Sequence, residues 1–503
     1  MTSEIPPIGP MAANTMSLGR PWSKLLAVLA LAGALSGCAS FSADGGLDAI
    51  KTSAQADLSK DVEKISNEAQ AASVQSRVAS ILRKPLTADG AVQIALLKNR
   101  GLQAALNELG MAEAQMVMAS LPPNPRLSIS RATARFELEI ERQIVASILA
   151  LATLPARSEI ARDKFRGAQL RATESVLKLA ADTRRQYYRT VAANQQAAAL
   201  SEAKTTAEAT AELFKRLGES GAANKLNQAR DFVFYTETGA QLAQAKVQQR
   251  IERERLVRLL GLWGNGNDLA FKLPSALPAM TALRTIKDIE GEALRRRIDI
   301  QIARGDLDVL AKSLGLTNAT RFVSDIDLLG RRVIDRKHTF GVNEAGEPTL
   351  DRERIVRRVL ELEIEIPIFD FGQSKVVLAE QTYMAAANRL AEKAVNARSE
   401  AREAYQVWRG TRDVARLYQS QILPLRKIIQ DESLLQYNGM LIDVTQLIAD
   451  SRGRMMSRAA SINATRDFWI ADVDFKHALI GGGVSGAGAS AASAPSGGGE
   501  AGH

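Results

Sequence analysis

One five-residue segment occurs twice in the sequence and constrains the fold more than any other feature. Glu137-Leu138-Glu139-Ile140-Glu141 returns, residue for residue, as Glu361-Leu362-Glu363-Ile364-Glu365. Strict alternation places the glutamates on one face of an extended strand and the apolar side chains on the other. Such a strand separates a polar from an apolar environment. Taken alone, it favours a soluble antiparallel sheet whose apolar face covers its own core.

The chain is also internally duplicated. The two segments lie 224 residues apart (361 − 137), and Ala293-Leu294 repeats Ala95-Leu96 at an offset of 198 (293 − 95). Each glutamate strand precedes a stretch of helix-forming residues, which predicts a helix of about sixty residues from Pro155 and another of about sixty-five after Gly372. A shorter helix returns after each. We therefore expect two copies of a helix-strand-strand-helix-helix unit, and a fold that is mainly α with a small β contribution.

Both long helices carry a coiled-coil seam, in which apolar or small residues recur at spacings of three and four. The seams are Leu170, Leu177, Ala181, Tyr188 and Val191 in the first helix and Tyr383, Ala387, Leu390, Ala394, Ala397, Ala401, Ala404 and Trp408 in the second. Pro424 is expected to kink the second helix. Before the glutamate strands we expect strands at Arg126–Ala132 and around Arg321–Leu328, the latter followed by a loop with Gly341, Gly346 and Pro348.

Changes in composition give the boundaries of these units. We expect a secretory signal at residues 1–37 and a small, polar tether at 38–85. The first repeat then covers residues 86–273, a proline-containing linker 274–282, and the second repeat 283–480. Residues 481–503 are rich in Gly, Ala and Ser and are expected to be disordered, because they cannot bury enough apolar surface.

The first residues resemble a bacterial lipoprotein signal. Arg20 and Lys24 flank an apolar run, Leu25–Leu35, that is too short to span a bilayer. Leu35-Ser36-Gly37-Cys38 closes the run and contains the only cysteine of the chain. We expect Cys38 to carry acyl chains that hold the protein in lipid. Ala39 after the cysteine resembles lipoproteins sorted to the outer membrane; the alternative is a buried free cysteine behind an ordinary signal.

Composition argues against several classes of function. The net charge is +9, but 65 basic residues are interspersed with 56 acidic ones along the helices, a pattern typical of solvated helix surfaces and not of nucleic-acid binding. One cysteine and three dispersed histidines offer neither a disulfide framework nor a zinc site. No nucleotide-binding or nucleophile motif occurs in the sequence. We therefore expect no cofactor and no enzymatic activity.

Four short strands per chain cannot close a barrel. An open sheet in lipid would leave unpaired amides along both edges, so the strands are expected to join those of other copies. Three copies supply twelve strands. The glutamates would then line a polar lumen while leucine and isoleucine face lipid. The predicted lumen residues are Glu137, Glu139, Glu141, Glu361, Glu363 and Glu365.

Several motifs resemble the TolC-type outer-membrane efflux channels, in particular the lipoprotein branch that serves RND pumps. They are Leu86–Leu96, Pro123-Asn124-Pro125 before the first strand, Pro367–Gly372 after the last, and the duplicated helix tips. The resemblance implies a homotrimer with a twelve-stranded outer-membrane β-barrel, continued by a long periplasmic α-helical coiled-coil barrel. It also implies partners, namely a periplasmic membrane-fusion adaptor and an inner-membrane RND transporter, and passive export of drugs or metal ions.

The turns between the long and the returning helices are the expected periplasmic tips, where the adaptor docks. The first tip carries Gly218 and Gly221 and the second Gly439; Leu226 and Val444 align five residues after Gly221 and Gly439. The family constricts its channel with two acidic residues at the second tip, where this chain has Asp443 and Gln446. We expect these two at the gate, with one Asp per copy narrowing the pore electrostatically. Two unrelated coiled-coil turns are the alternative.

Two further classes remain open at this stage. A periplasmic adaptor or a structural coiled-coil lipoprotein would also carry long hairpins, although an adaptor has a single hairpin beside a β-rich body. A lipid-linked surface enzyme would require a catalytic constellation, which the sequence does not offer.

Overall fold

The computed structural model describes residues 41–220, 224–263, 271–280, 288–346 and 348–483. The expected signal, Cys38, Gly221, the end of the linker and most of the expected tail lie outside the described residues. The chain divides into two compact units. One is built around a sheet and contains Ala114–Ser158 and Asp325–Glu363; the other is helical and contains Ala43–Glu113, Glu159–Ser324 and the residues from Ile364 on.

Long helices dominate the chain, and the order of a strand pair, a long helix and a returning helix occurs twice. The helices are α1 (Leu47–Leu58), α2 (Glu68–Leu82), α3 (Ala88–Lys98), α4 (Arg100–Ser120), α5 (Ile148–Ala152), α6 (Leu154–Glu219), α7 (Lys225–Leu260), α8 (Ile289–Arg296), α9 (Ile298–Thr320), α10 (Gln373–Leu417), α11 (Leu423–Asn438) and α12 (Val444–Ile480). The strands are β1 (Arg126–Ala134), β2 (Glu137–Ser147), β3 (Asp325–Val342) and β4 (Pro348–Glu365). The expectation of a mainly helical fold with a small sheet is confirmed.

The four strands form one sheet in the order β1-β2-β3-β4, in which β2 pairs antiparallel with β1 and β3. β3 and β4 have 18 residues each, against 9 in β1 and 11 in β2. The prediction of a short strand around Arg321–Leu328 and a loop up to Pro348 was wrong. Gly341 lies inside β3, and Pro348 begins β4, where its missing N–H is tolerated.

The internal duplication extends to the backbone. The expected offset of 198 relates Asn99, which ends α3, to Arg297, which ends α8 (297 − 99). Their φ and ψ angles nearly coincide, −63° and 120° for Asn99 and −61° and 125° for Arg297. Each therefore interrupts its helix in the same extended conformation before the next helix begins.

The long helices follow the expected pattern. α6 is continuous over 66 residues, whereas α10 ends after 45 and is followed by a π-helical segment, Tyr418–Ile422. Pro424 lies two residues beyond the end of that segment. It has no N–H and its ring crowds the carbonyl four residues earlier, so the α-helical hydrogen bonds cannot continue unchanged. The predicted interruption at Pro424 therefore takes the form of a local widening of the helix.

The core of the helical unit lies where α6, α10 and α12 meet. Aromatic residues concentrate there: the rings of Tyr188 and Trp469 stack at 5.1 Å, and those of Trp408 and Phe475 at 5.2 Å. Residues 47–82, within the expected tether, form α1 and α2, which bury Ile50 and other apolar side chains against this unit. Among the described residues, none of the helices combines the length and the apolar character that crossing a bilayer requires.

Candidate functional sites on the sheet and at the helix tips

One face of the sheet carries the first set of predicted lumen residues. Glu137, Glu139 and Glu141 alternate along β2, and their direct partners on β3 are Lys337, Asp335 and Val333. Lys337 Nζ lies 2.9 Å from a Glu137 carboxylate oxygen, and Arg331 Nη1 lies 3.4 Å from one of Glu141. Basic residues of β3 therefore neutralise two of the three glutamates across the strands.

The second set continues this polar face on β4. Arg357 donates a 2.7 Å hydrogen bond to Asp335, which places the odd-numbered residues of β4 on the face that carries Glu139. Glu361 and Glu363 follow Arg357 by the same alternation. Glu365 is the last residue of the strand, and its carbonyl oxygen accepts a 2.9 Å hydrogen bond from the Ser324 N–H.

The polar face thus carries three ion pairs between strands, whereas the sequence predicted only its glutamates. The sequence did not reveal the basic partners. Arg331 and Lys337 lie in a charged segment that was assigned to a loop, and Arg357 lies before the predicted glutamate strand. The available signal on β3 was that Arg331, Asp335 and Lys337 are separated by even numbers of residues and so share one face of a strand. A strand with charges on one face is stabilised here by three ion pairs to adjacent strands, Arg331 with Glu141, Lys337 with Glu137 and Arg357 with Asp335.

The opposite face is apolar and exposed. Leu127, Ile129 and Ile144 lie on it, and their side chains are all more than half exposed. It also carries arginines, since Arg142 and Arg332 are direct partners across β2 and β3. The sheet has two unpaired edges, one along β1 and one along β4. A sheet with exposed apolar residues and open edges is incomplete as an isolated object.

The motif Pro367–Gly372 forms the turn that begins α10. The Asp370 carboxylate accepts hydrogen bonds from the N–H groups of Gly372, at 2.9 Å, and Ser374, at 3.3 Å. Phe371 and Gly372 have φ angles of 47° and 70°. A Cβ on Gly372 would collide with the Arg321 carbonyl oxygen, so the motif requires glycine for both its conformation and its close packing.

The second tip connects Asn438 of α11 to Val444 of α12. Gly439 has a φ of −81°, which any residue can adopt, while Met440 has a φ of 58° and is 93% exposed. A Cβ on Gly439 would meet its nearest neighbour, the Leu435 carbonyl oxygen, at an ordinary 3.5 Å. A glycine at a helix tip usually supplies the tight turn, but here the left-handed conformation falls on Met440 and not on Gly439.

Asp443, the predicted gate residue, caps α12. Its carboxylate accepts a 3.0 Å hydrogen bond from the main-chain N–H of Gln446. That bond, together with bonds from Thr445, lowers the pKa of the fully exposed Asp443 carboxyl. Gln446 in turn donates from its side chain to Asp450 at 3.3 Å. Asp443 and Gln446 therefore act together within one hairpin, and their role as a gate stays a prediction.

The first tip has the corresponding cap. Asn224 begins α7 and accepts a 2.8 Å hydrogen bond from the Asn227 N–H. Asn224 and Asp443 are 219 residues apart (443 − 224), one more than the 218 (439 − 221) of the sequence alignment. The predicted equivalence of Leu226 and Val444 is corrected accordingly. Leu226 is 57% exposed, and Val444 is 4% exposed.

The two helical hairpins are joined by polar contacts, at the tips and further along the helices. Arg230 of α7 donates to the Thr445 hydroxyl at 3.2 Å, and Arg458 of α12 pairs with Glu202 of α6 at 2.6 Å. Gly218, the remaining predicted tip residue, lies in the last turn of α6, where a Cβ would collide with the Gln228 side chain. Gly218 therefore leaves room for the Gln228 side chain of α7 at this tip.

Solved structures share this fold. The chain is similar to CusC, studied for folding and transmembrane channel formation, with a TM-score of 0.65, 17% identity and coverage of 78% of this chain and 92% of that one. For the CmeC outer membrane channel of Campylobacter jejuni the TM-score is 0.64 and the identity 18%, with coverage of 79% of this chain and 86% of that one. For the open MtrE outer membrane channel of Neisseria gonorrhoeae the TM-score is 0.63 and the identity 16%, with coverage of 78% of this chain and 88% of that one. No protein-family profile and no curated protein matches the sequence.

The chain therefore has the fold of outer-membrane channels. The resemblance to TolC-type channels that the sequence motifs suggested is confirmed at the level of the fold.

Proposed function

We propose that this protein is the outer-membrane exit channel of a tripartite RND-type efflux system and conducts drugs or metal ions passively. The observation that carries the proposal is the sheet, which has an ion-paired polar face, an exposed apolar face and two open edges. In a chain with the fold of outer-membrane channels, these three properties are what a segment of a membrane-spanning barrel requires.

The open edges support a homotrimer. If β1 of one copy pairs with β4 of the next, the edge amides of β1 find partners on the longer β4 and three copies close a twelve-stranded barrel. The long helices, which are too polar for lipid, would continue it as a periplasmic coiled-coil barrel. Lipid on Cys38 would anchor each copy to the outer membrane.

The tips support the proposed partners. Met440 and Leu441 expose apolar side chains at the second tip, as Leu226 does at the first. Such side chains suit docking to a periplasmic membrane-fusion adaptor, which would in turn bind the inner-membrane RND transporter. The pump supplies the energy, and the channel needs no catalytic residue or cofactor.

A periplasmic adaptor or structural coiled-coil lipoprotein is the alternative function. The exposed apolar sheet face disfavours it, because an adaptor in water would gain nothing from leaving Leu127 and Ile129 uncovered.

Cysteine cross-linking tests the trimer directly. Ser130→Cys on β1 is combined in turn with Ile355→Cys, Arg357→Cys or Val359→Cys on β4, since these residues share the polar face with Ser130. We expect at least one combination to give a disulfide-linked trimer in membranes. Ser130→Cys with Val333→Cys is the control and should give none, because β3 has both neighbours within its own chain. Monomers in every combination would refute the trimeric barrel.

A further inference from the structure

A buried carboxylate on α7 has no partner. Asp231 is 0% exposed, and neither of its carboxylate oxygens has a hydrogen-bond partner among the described residues. Its neighbours along the helix, Phe232 and Val233, are at least half exposed. Burial of a carboxylate without a partner costs several kcal/mol, and the pKa of Asp231 is accordingly raised to about 6.

Asp231 lines a cavity of about 410 Å³ between the two helical hairpins. Residues of α6, α7, α11 and α12 all contribute to its wall, and much of that wall is apolar. The apolar lining includes Leu200, Ala207, Phe234, Leu434, Leu447 and Ile448.

The other charged residues of the wall already have partners. Arg458 pairs with Glu202 at 2.6 Å, and Arg454 donates to the Gln430 side chain. Arg454 keeps its positive charge, since Gln430 is neutral. Asp231 is therefore the one charged residue of the described lining whose side chain has no hydrogen-bond partner.

The chemistry of the cavity selects the class of ligand. A metal ion needs several oxygen or nitrogen donors, and no group of three or more His, Cys, Asp or Glu in the described part of the chain is placed to hold one. A volume of this size accommodates a small organic molecule. One carboxylate in an apolar wall fits a molecule with a single positive charge and an apolar body.

We propose that this cavity binds an organic ammonium monocation, with the ammonium group on Asp231 and the apolar body between α6, α11 and α12. Such a ligand contacts both hairpins at once. Binding would therefore stabilise the packing of α6 and α7 against α11 and α12. The stabilisation increases with the affinity of the ligand for this packing. The site is separate from the polar face of the sheet and does not depend on the proposed conduction.

Calorimetry on the full chain in lipid nanodiscs tests the site, with empty nanodiscs subtracted. The probe is 4-phenylbutylammonium at mildly alkaline pH, compared with the neutral 4-phenylbutan-1-ol and the anionic 4-phenylbutanoate. We expect saturable binding of the ammonium compound, weaker binding of the alcohol and none of the anion. Asp231→Asn should weaken the ammonium affinity by about tenfold or more and leave the affinity for the alcohol unchanged.

Two further variants separate the site from general effects of charge and folding. Glu208→Gln makes the same charge change at an exposed position of α6 and should leave all affinities unchanged. Ala207→Phe fills the cavity and should abolish binding of both compounds, while circular dichroism verifies that the protein is folded. Wild-type affinity in Asp231→Asn, equal affinity for the alcohol and the ammonium compound, or no saturable binding to the wild type would each overturn the proposal.

Discussion

Arg297 donates a hydrogen bond of 2.6 Å to Glu400, which links the junction between α8 and α9 to the long helix α10. The same guanidinium makes two hydrogen bonds to Asp299, and its side chain is only 2% exposed. One buried cation therefore balances two carboxylates at the junction between the first two helices of the second repeat.

Replacing Arg297 with methionine should destabilise the protein by about 2–4 kcal/mol, because both carboxylates lose their counter-charge in a largely buried site. Arg296→Met is the matched control. Arg296 is the adjacent residue, pairs with Asp57 and Glu292 at the surface, and is 47% exposed, so its loss should cost about 1 kcal/mol or less. Denaturant unfolding of the two purified variants measures the loss of stability in each. Equal losses would contradict a special role for the buried Arg297.

Two glycines in tight turns should respond differently to alanine. Gly372→Ala introduces a Cβ against the Arg321 carbonyl oxygen at a φ of 70°, and we expect a loss of about 2–4 kcal/mol. Gly439→Ala meets only ordinary contacts and should change stability by less than about 0.5 kcal/mol. Thermal unfolding of the two variants measures both changes in stability.

A bulky residue at Gly439 should abolish export without loss of the trimer if this tip docks the adaptor. Unchanged drug or metal tolerance in the variant would contradict that role.

Asp231 should make the protein less stable as pH rises. Its pKa is raised from 3.8 to about 6, so the folded chain holds this proton more tightly than the unfolded chain does. Its contribution to the free energy of unfolding therefore falls between about pH 4 and pH 6 and stays constant above. Asp231→Asn should remove this decline and be more stable than the wild type at alkaline pH, by at most about 3 kcal/mol. A variant that is less stable there would show that the carboxylate has a partner.

His477 should act in the opposite direction. Burial, and then the nearby Arg185, lower its pKa from 6.5 to about 4, so the unfolded chain binds this proton more readily. The contribution of His477 to stability is lost as pH falls from about 6.5 towards 4. His477→Gln should reduce that loss, while His338→Gln, at an exposed position of β3, is the control. The free energy of unfolding of the two variants, measured across this pH range, tests whether His477 lowers stability as the pH falls.

Charge on the polar sheet face should set ion selectivity if this face lines the pore. Reversing Glu363 and Glu365 to lysine is expected to shift the reversal potential of the reconstituted, tip-opened channel towards anion preference. Exchanging Glu137 and Lys337 keeps both the ion pair and the net charge, so it should have little effect. An unchanged reversal potential in the double lysine variant would show that Glu363 and Glu365 do not line the pore.

The sequence predicted elements whose periodicity was uninterrupted. The glutamate alternation correctly gave β2 and the end of β4, and the seam through Ala397, Ala401, Ala404 and Trp408 lies on the buried side of α10. It did not predict the length of β3. Three charged residues between Gly330 and Phe340, namely Arg331, Asp335 and Lys337, form ion pairs with adjacent strands, and a local pattern does not contain those partners.

Local sequence patterns also did not predict which residues of α7 are buried. Asp231 precedes Phe232 and Val233, and the usual hydrophobic pattern predicts that the aspartate is exposed and the apolar pair buried. The structure has the reverse, because the position of α7 between α6 and α12 decides which side faces inwards. The capping role of Asp443 was accessible from sequence, since an Asp before a helical run is a common N-cap.

β3 continues beyond the end of β2. Lys337 is opposite Glu137, the first residue of β2, so the last five residues of β3, His338–Val342, extend past the end of β2 together with the start of β4. At about 3.4 Å per residue this ribbon is about 17 Å long. In the proposed barrel, three such ribbons would stand clear of the lipid on the outside of the cell, where antibodies or phages can reach them. A peptide tag inserted at Gly346 would make them visible on intact bacteria.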